Sequence, residues 1–326
     1  MIDMNAVFNR FLPTIHIPLL QPQETQARSY CISACALGTL AIAISPISTP
    51  VTAALSLSAG WSLWSSGIIK ASELDLPERI KNYIDPLYAS TININATISF
   101  GLLFPLTLSP SYHIPKGDIN KTPILMLNGY GSFGSAWNCL RTALEAEDVG
   151  PIYTMNVENF QSIESNAESV QKQIQKIKEQ TNCKEIILLC HSKGGLVGSY
   201  YATALANEET DPKITKLITL GTPFKGTDMA RWGLGEDATQ MIPGSTFLCD
   251  LQERINKCTH IHFFNMAGKL DHLAPPKSAI LEKGEPETYV IDNLGHKGLL
   301  FSARVAKKVS EWIKTNPSNN RHDINN

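Results

Sequence analysis

Leu188-Leu189-Cys190-His191-Ser192-Lys193-Gly194-Gly195-Leu196 runs from an apolar strand into a serine and then into glycines that open a helix. This is the setting of a G-x-S-x-G elbow, in which a sharp turn holds a serine hydroxyl up at the C-terminal edge of a sheet. The turn demands small residues two before and two after the serine. Gly194 meets that demand, and Cys190 nearly does. A serine capping a helix is the plainer reading of such a stretch. The helix start beneath Ser192 would offer backbone N–H groups and a positive dipole end to a developing negative charge.

The elements on either side set the architecture. PILMLN (123–128), PIYTMNV (151–157), EIILLC (185–190), ITKLITLG (214–221), HIHFFNMAG (260–268) and ETYVID (287–292) read as strands. Continuous apolar runs such as 123–128 suit strands buried on both faces. Between them, Trp137, Leu140 and Leu144 share one helical face, as do Ala167, Val170, Ile174 and Ile177. Segments 194–207 and 298–314 complete the helices. Strands alternating with helices predict βαβ units and a mostly parallel sheet flanked by helices, over residues 116–314. Residues 223–258 interrupt the alternation, with Gly233, Gly235, Pro243 and Gly244, and read as an insert or lid. Residues 315–326 read as a disordered tail.

Further motifs stand in order around the elbow. Asn128-Gly129-Tyr130-Gly131 follows the first strand. Gly221-Thr222-Pro223-Phe224-Lys225-Gly226-Thr227 follows the strand after the elbow, and Gln240-Met241-Ile242-Pro243-Gly244-Ser245 lies in the insert. With these, the chain over about 120–313 resembles the α/β-hydrolase superfamily, in particular bacterial triacylglycerol lipases and related membrane-anchored esterases. The resemblance implies the α/β-hydrolase fold and a serine hydrolase of carboxylic esters, with Ser192 as nucleophile. It implies an oxyanion hole from the backbone N–H groups of Tyr130 and Lys193. His296, in Leu294-Gly295-His296-Lys297-Gly298, matches the base, and Asp271, in the loop after 260–268, matches the orienting acid. The order Ser, Asp, His is the one this fold uses. Asp250 and Asp292 are the competing acids. Three departures stand out: Asn128 where the relatives carry His, Cys190 for the first elbow glycine, and Lys193, a cation beside the expected oxyanion.

The chain has 326 residues, 43% hydrophobic and 18% charged, with a net charge of -2. That composition excludes a largely disordered chain and a general nucleic-acid binder. Seven cysteines without a CxxC pair exclude a disulfide-rich fold and a zinc ribbon. No metal or cofactor is expected, and the expected partner is a lipid or other ester substrate.

The charge deficit is local. After a polar segment 1–28, residues 29–69 contain no Asp, Glu, Lys or Arg, and Pro46 and Pro50 divide them into two apolar stretches. Within an apolar N-terminal region 29–115, the pair 29–69 reads as a helical hairpin in a membrane, making the protein membrane-associated. Trp61 and Trp64 would lie at the interface. A buried helical pair and a signal peptide cleaved after Val51-Thr52-Ala53 are the alternatives. The charge-free run 86–115 reads either as a third span or as early strands.

Three other functions compete. Gly129, Gly131 and Gly134 also spell G-x-G-x-x-G between a strand and a helix, with Glu158 ending the next strand, as in a dinucleotide site. An acyltransferase would use the same triad. A catalytically inactive membrane-associated interaction protein is the third.

Overall fold

The computed structural model describes residues 77–103, 118–207, 209–282 and 287–315, with Pro115 and, further upstream, 61, 63–65, 67–69 and 71–72. Six strands form one parallel sheet: β1 (Ile124–Leu127), β2 (Ile152–Met155), β3 (Glu185–His191), β4 (Lys213–Leu220), β5 (His262–Gly268) and β6 (Glu287–Ile291). Their order in space is β2-β1-β3-β4-β5-β6. Each coincides with a strand expected from the sequence, within two residues at each end. The chain leaves β1 for β2 on one side and then crosses to β3 on the other. The crevice beyond the C-terminal ends of β1 and β3 is therefore the switch point, where parallel sheets place ligands.

Period-two alternation sends side chains to two opposite faces. Ile124 and Met126 of β1 and Ile187 and Leu189 of β3 join one core cluster. Leu125 and Leu127, with Ile186, Leu188 and Cys190, join the other. Helix α2 (Asn138–Ala146) and the last helix Ala303–Lys314 cover the first face; α3 (Ile163–Thr181) and α4 (Lys193–Tyr200) cover the second. The α3 sequence marks its own ends. The Ser162 hydroxyl accepts from the Ser165 N–H at its start, and Asn182 closes it in the left-handed conformation.

The N-terminal region departs from expectation. Residues 78–103, which take in much of the charge-free run 86–115, form one helix, α1 (Glu78–Leu103), rather than strands. Tyr88, Ile92 and Ala96 of α1 pack into the first core cluster with Ile68 and Ile69. Composition alone does not separate an apolar segment buried against protein from one buried in lipid. Among the described residues, no helix is long and apolar enough to cross a membrane. Trp61, expected at a membrane interface, donates from Nε1 to Asn95 Oδ1 at 2.6 Å. Ser65 and Ile69 are buried. The C-terminal end of the expected hairpin thus packs on protein. The rest of the hairpin, residues 29–60, lies outside the described residues, as do segment 1–28 and the tail from 316.

The insert 223–258 lies between β4 and β5. It holds a 3-10 turn (Asp228–Trp232), a short helix (Glu236–Gln240) and α5 (Thr246–Lys257), whose first turn is capped by Ser245. The final helix is α6 (Ala303–Lys314).

Candidate active site

At the junction of β3 and α4, Ser192 has φ 55° and ψ -128°. Positive φ is uncommon for any residue but glycine and is held only where the surroundings enforce it. Here they do. A Cβ on Gly194 would sit 2.3 Å from the Leu127 carbonyl oxygen, and one on Gly195 would sit 1.9 Å from Thr222 Oγ1. Cys190, the departure from the small-residue pattern, is accommodated by Gly198, where a Cβ would come within 2.8 Å of Cys190 Sγ.

His296 lies between β6 and the 3-10 turn Lys297–Leu300. Its Nδ1 meets Asp271 Oδ2 at 2.7 Å. The other carboxylate oxygen, Oδ1, accepts the backbone N–H groups of Leu273 and Ala274, each at 2.8 Å. Asp271 is buried and fixed. It therefore sets the tautomer that leaves His296 Nε2 with a lone pair. Gly221 gives the pair room, because a Cβ there would stand 3.0 Å from Asp271 Oδ2 and 3.2 Å from His296 Nδ1.

Ser192, His296 and Tyr130 line one cleft of about 430 Å³. Gly129 approaches so closely that a Cβ would lie 2.7 Å from Ser192 Cβ. Asn128 sets this loop. Its Nδ2 donates to the Ser132 carbonyl at 2.8 Å and its Oδ1 accepts from the Val157 N–H at 2.9 Å. The N–H groups of Gly131 and Gly134 are already bonded to Asn159 Oδ1 and Asn156 Oδ1, both at 2.8 Å. A dinucleotide loop needs its amides for pyrophosphate, so these bonds weigh against that reading of the glycines.

The competing residues are elsewhere. Asp292 pairs with Lys269 at the surface. Asp250 lines a separate cavity beside the N-terminal ends of β4 and β5. Lys193 corrects the sequence-based expectation of a cation beside the oxyanion. Its Nζ turns away from the cleft and donates to Asp237 Oδ2 and to the Glu158 carbonyl, both at 2.7 Å. Burial pulls its pKa down while Asp237 opposes the shift. Its backbone keeps the expected place. Lys193 is the first residue of α4, and such N–H groups have no acceptor within their helix.

Two residues of the site carried no signal that sequence reading used. Asp237 lies 44 positions from Lys193, and only the folded chain joins them. His191 is buried against His296, with ring centroids 4.6 Å apart, and meets the His296 carbonyl through Nε2 at 3.2 Å. Burial, and then the neighbouring His296, holds the His191 pKa well below its ordinary 6.5, so the ring is neutral.

The family model that matches, over residues 140–274, is described as an alpha/beta hydrolase of unknown function (DUF915). The chain has the fold of the α/β-hydrolase superfamily. Among solved structures, the chain resembles the Bacillus licheniformis lipase BlEst2 in mature form. The TM-score is 0.52 at 15% identity, over 61% of this chain and 94% of that one. Phospholipase PlaB from Legionella pneumophila gives 0.50 at 14% identity, over 60% of each chain. At these identities the likeness is one of fold. No curated protein matches the sequence.

Proposed function

We propose that the protein is a serine hydrolase that cleaves carboxylic esters of lipids. The observation that carries the reading is the strained Ser192, which shares a cleft with a histidine whose Nδ1 is held by a buried carboxylate. In this mechanism His296 Nε2 takes the Ser192 hydroxyl proton as Oγ bonds to the ester carbonyl carbon. The carbonyl oxygen becomes an oxyanion, met by the N–H groups of Tyr130 and Lys193. The intermediate collapses with cleavage of the bond to the alkoxy oxygen, which leaves as the alcohol with the proton from His296. Water then attacks the acyl-enzyme by the same path and releases the acid and Ser192.

The lipid part of the proposal draws support from the rim of the cleft. Met229 and Trp232 of the insert line the cleft and are 55% and 85% exposed, and Leu273, also a lining residue, is exposed. Met241 also lines the cleft but is buried at its wall, and Leu248 packs in the core. With the charge-free composition of residues 29–60, this rim supports a site of action at a membrane.

Labelling with a fluorophosphonate and turnover of a panel of p-nitrophenyl esters test the reading. Ser192→Ala and His296→Ala each lower kcat by about 10³-fold or more, and the double variant loses little beyond either. Equal turnover by wild type and Ser192→Ala overturns it. Release of free acid with an added alcohol present separates hydrolysis from acyl transfer.

A further inference from the structure

The loop that carries His296 is held from a part of the chain that lies outside the family match at 140–274. Asn93 of α1 lies against this loop. Its Oδ1 accepts the Gly298 N–H at 3.0 Å. Its Nδ2 fills the space where a Gly295 side chain would be, since a Cβ there would come within 2.2 Å. One turn further along the same face, Thr97 Oγ1 accepts from Lys297 Nζ at 2.9 Å. Ile92 completes the contact, lying 3.3 Å from the position of a Gly298 Cβ. Residues 295, 297 and 298, which bracket His296, therefore all meet α1. Asp271 holds the ring from the β5 side, and His191 meets the carbonyl from β3.

From this we infer that Asn93 is a positioning residue for His296, and that the N-terminal region is a working part of the catalytic site. The inference rests on the reading of His296 as the base. A base must keep Nε2 on the line to the serine hydroxyl, and a misplacement of about 1 Å costs about 10²-fold in rate. The Gly295-His296-Lys297-Gly298 loop has a glycine on each side and little stiffness of its own. The amide of Asn93 supplies the missing restraint. It reaches across 205 residues of sequence, so any displacement of α1 also displaces the histidine.

The experiment uses the full chain, with p-nitrophenyl butyrate turnover, fluorophosphonate labelling and thermal unfolding measured together. Asn93→Ala lowers kcat by about 10- to 100-fold and leaves KM within about twofold, since no substrate contact is removed. Asn93→Asp recovers most of the loss, because a carboxylate oxygen still accepts the Gly298 N–H. Gly295→Ala lowers kcat in the wild-type background but costs little further in Asn93→Ala, where the clashing amide is gone. Wild-type kcat in Asn93→Ala, or an equal cost of Gly295→Ala in both backgrounds, overturns the inference. If Asn93→Ala does not fold, Asn93→Gln, with its longer arm, decides in the same way: kcat falls, or the inference fails. A wild-type protein that neither labels nor turns over ester sinks the hydrolase reading itself. A wild type that does both, beside an unaffected Asn93→Ala, sinks only the role of α1.

Discussion

Lys193 and Asp237 form an ion pair with an Nζ–Oδ2 distance of 2.7 Å, and neither side chain has any solvent exposure. The pair ties the residue after Ser192 to the insert. Asp237 also accepts the N–H groups of Phe160 and Ala238, so the carboxylate is well supplied with donors. Breaking a buried pair by removing one partner leaves an uncompensated charge and costs about 3–5 kcal/mol. Lys193→Met and Asp237→Leu are each expected to lose that much in urea unfolding. The double variant is expected to lose much less than the sum. Strict additivity would mean that the two groups do not interact. Because Tyr130 also bonds the insert, through Leu234, the single variants should lose esterase activity as well as stability.

The glycines after Ser192 make different demands. At Gly195 the obstacle is the Thr222 side chain, whereas at Gly194 it is backbone carbonyl oxygen from Leu127 and Asn128. Gly195→Ala therefore costs about 1–3 kcal/mol by overpacking, and Thr222→Ala relieves part of it. Gly194→Ala meets no side chain that can be trimmed. It should be the more damaging of the two in thermal unfolding and fluorophosphonate labelling, with no rescue by Thr222→Ala. Equal damage, or rescue of both, would count against this packing.

These glycines were legible in the sequence because a sharp turn restricts residue type locally. The same holds for β1 and β3, whose unbroken apolar runs announce burial on both faces, and for α3, with its helical spacing. The places of Asp271 and His296 in loops after strands were legible too, and the structure brings the two side chains together; their roles beside Ser192 were what the resemblance implied. What escaped was contact across the sequence. No local pattern points from Lys193 to Asp237, or from Asn93 to Gly298. The run 86–115 misled for a different reason. From Pro86 on, α1 packs on protein along one face and yet lacks charge as completely as a helix in lipid, so hydropathy did not separate the two.

His191 gives the protein a pH dependence that is separate from catalysis. Its native pKa lies well below 6.5, chiefly through burial, and the unfolded chain has the ordinary value. Between those two values the unfolded state binds a proton that the native state does not. Stability is therefore full above pH 6.5 and falls as pH drops below it, by up to about 1.4 kcal/mol per pH unit. Urea midpoints at about pH 7.5 and about pH 5.5 check this, with His191→Asn as the comparison. The variant should lose less stability on acidification than wild type. The same loss in both would place the acid sensitivity elsewhere.

Trp232 and Met229 line the cleft while remaining largely exposed, an arrangement that would cost little only if something apolar covered them in use. An acyl chain lying against them gains about 0.8 kcal/mol for each CH₂ removed from water, roughly a fourfold gain in kcat/KM per methylene. Turnover should therefore climb from acetyl to octanoyl esters and level off where the chain outgrows the surface. Trp232→Ala shortens that surface without touching Ser192, Asp271 or His296. It should leave the acetyl ester nearly unaffected and reduce the octanoyl ester, flattening the slope of log kcat/KM against chain length. A wild-type series that is flat or falls with length would remove the lipid substrate and leave a general esterase. A steep series with no change in Trp232→Ala would keep the lipid substrate but put the acyl chain along a different wall, with Leu273 and Met241 the next residues to vary.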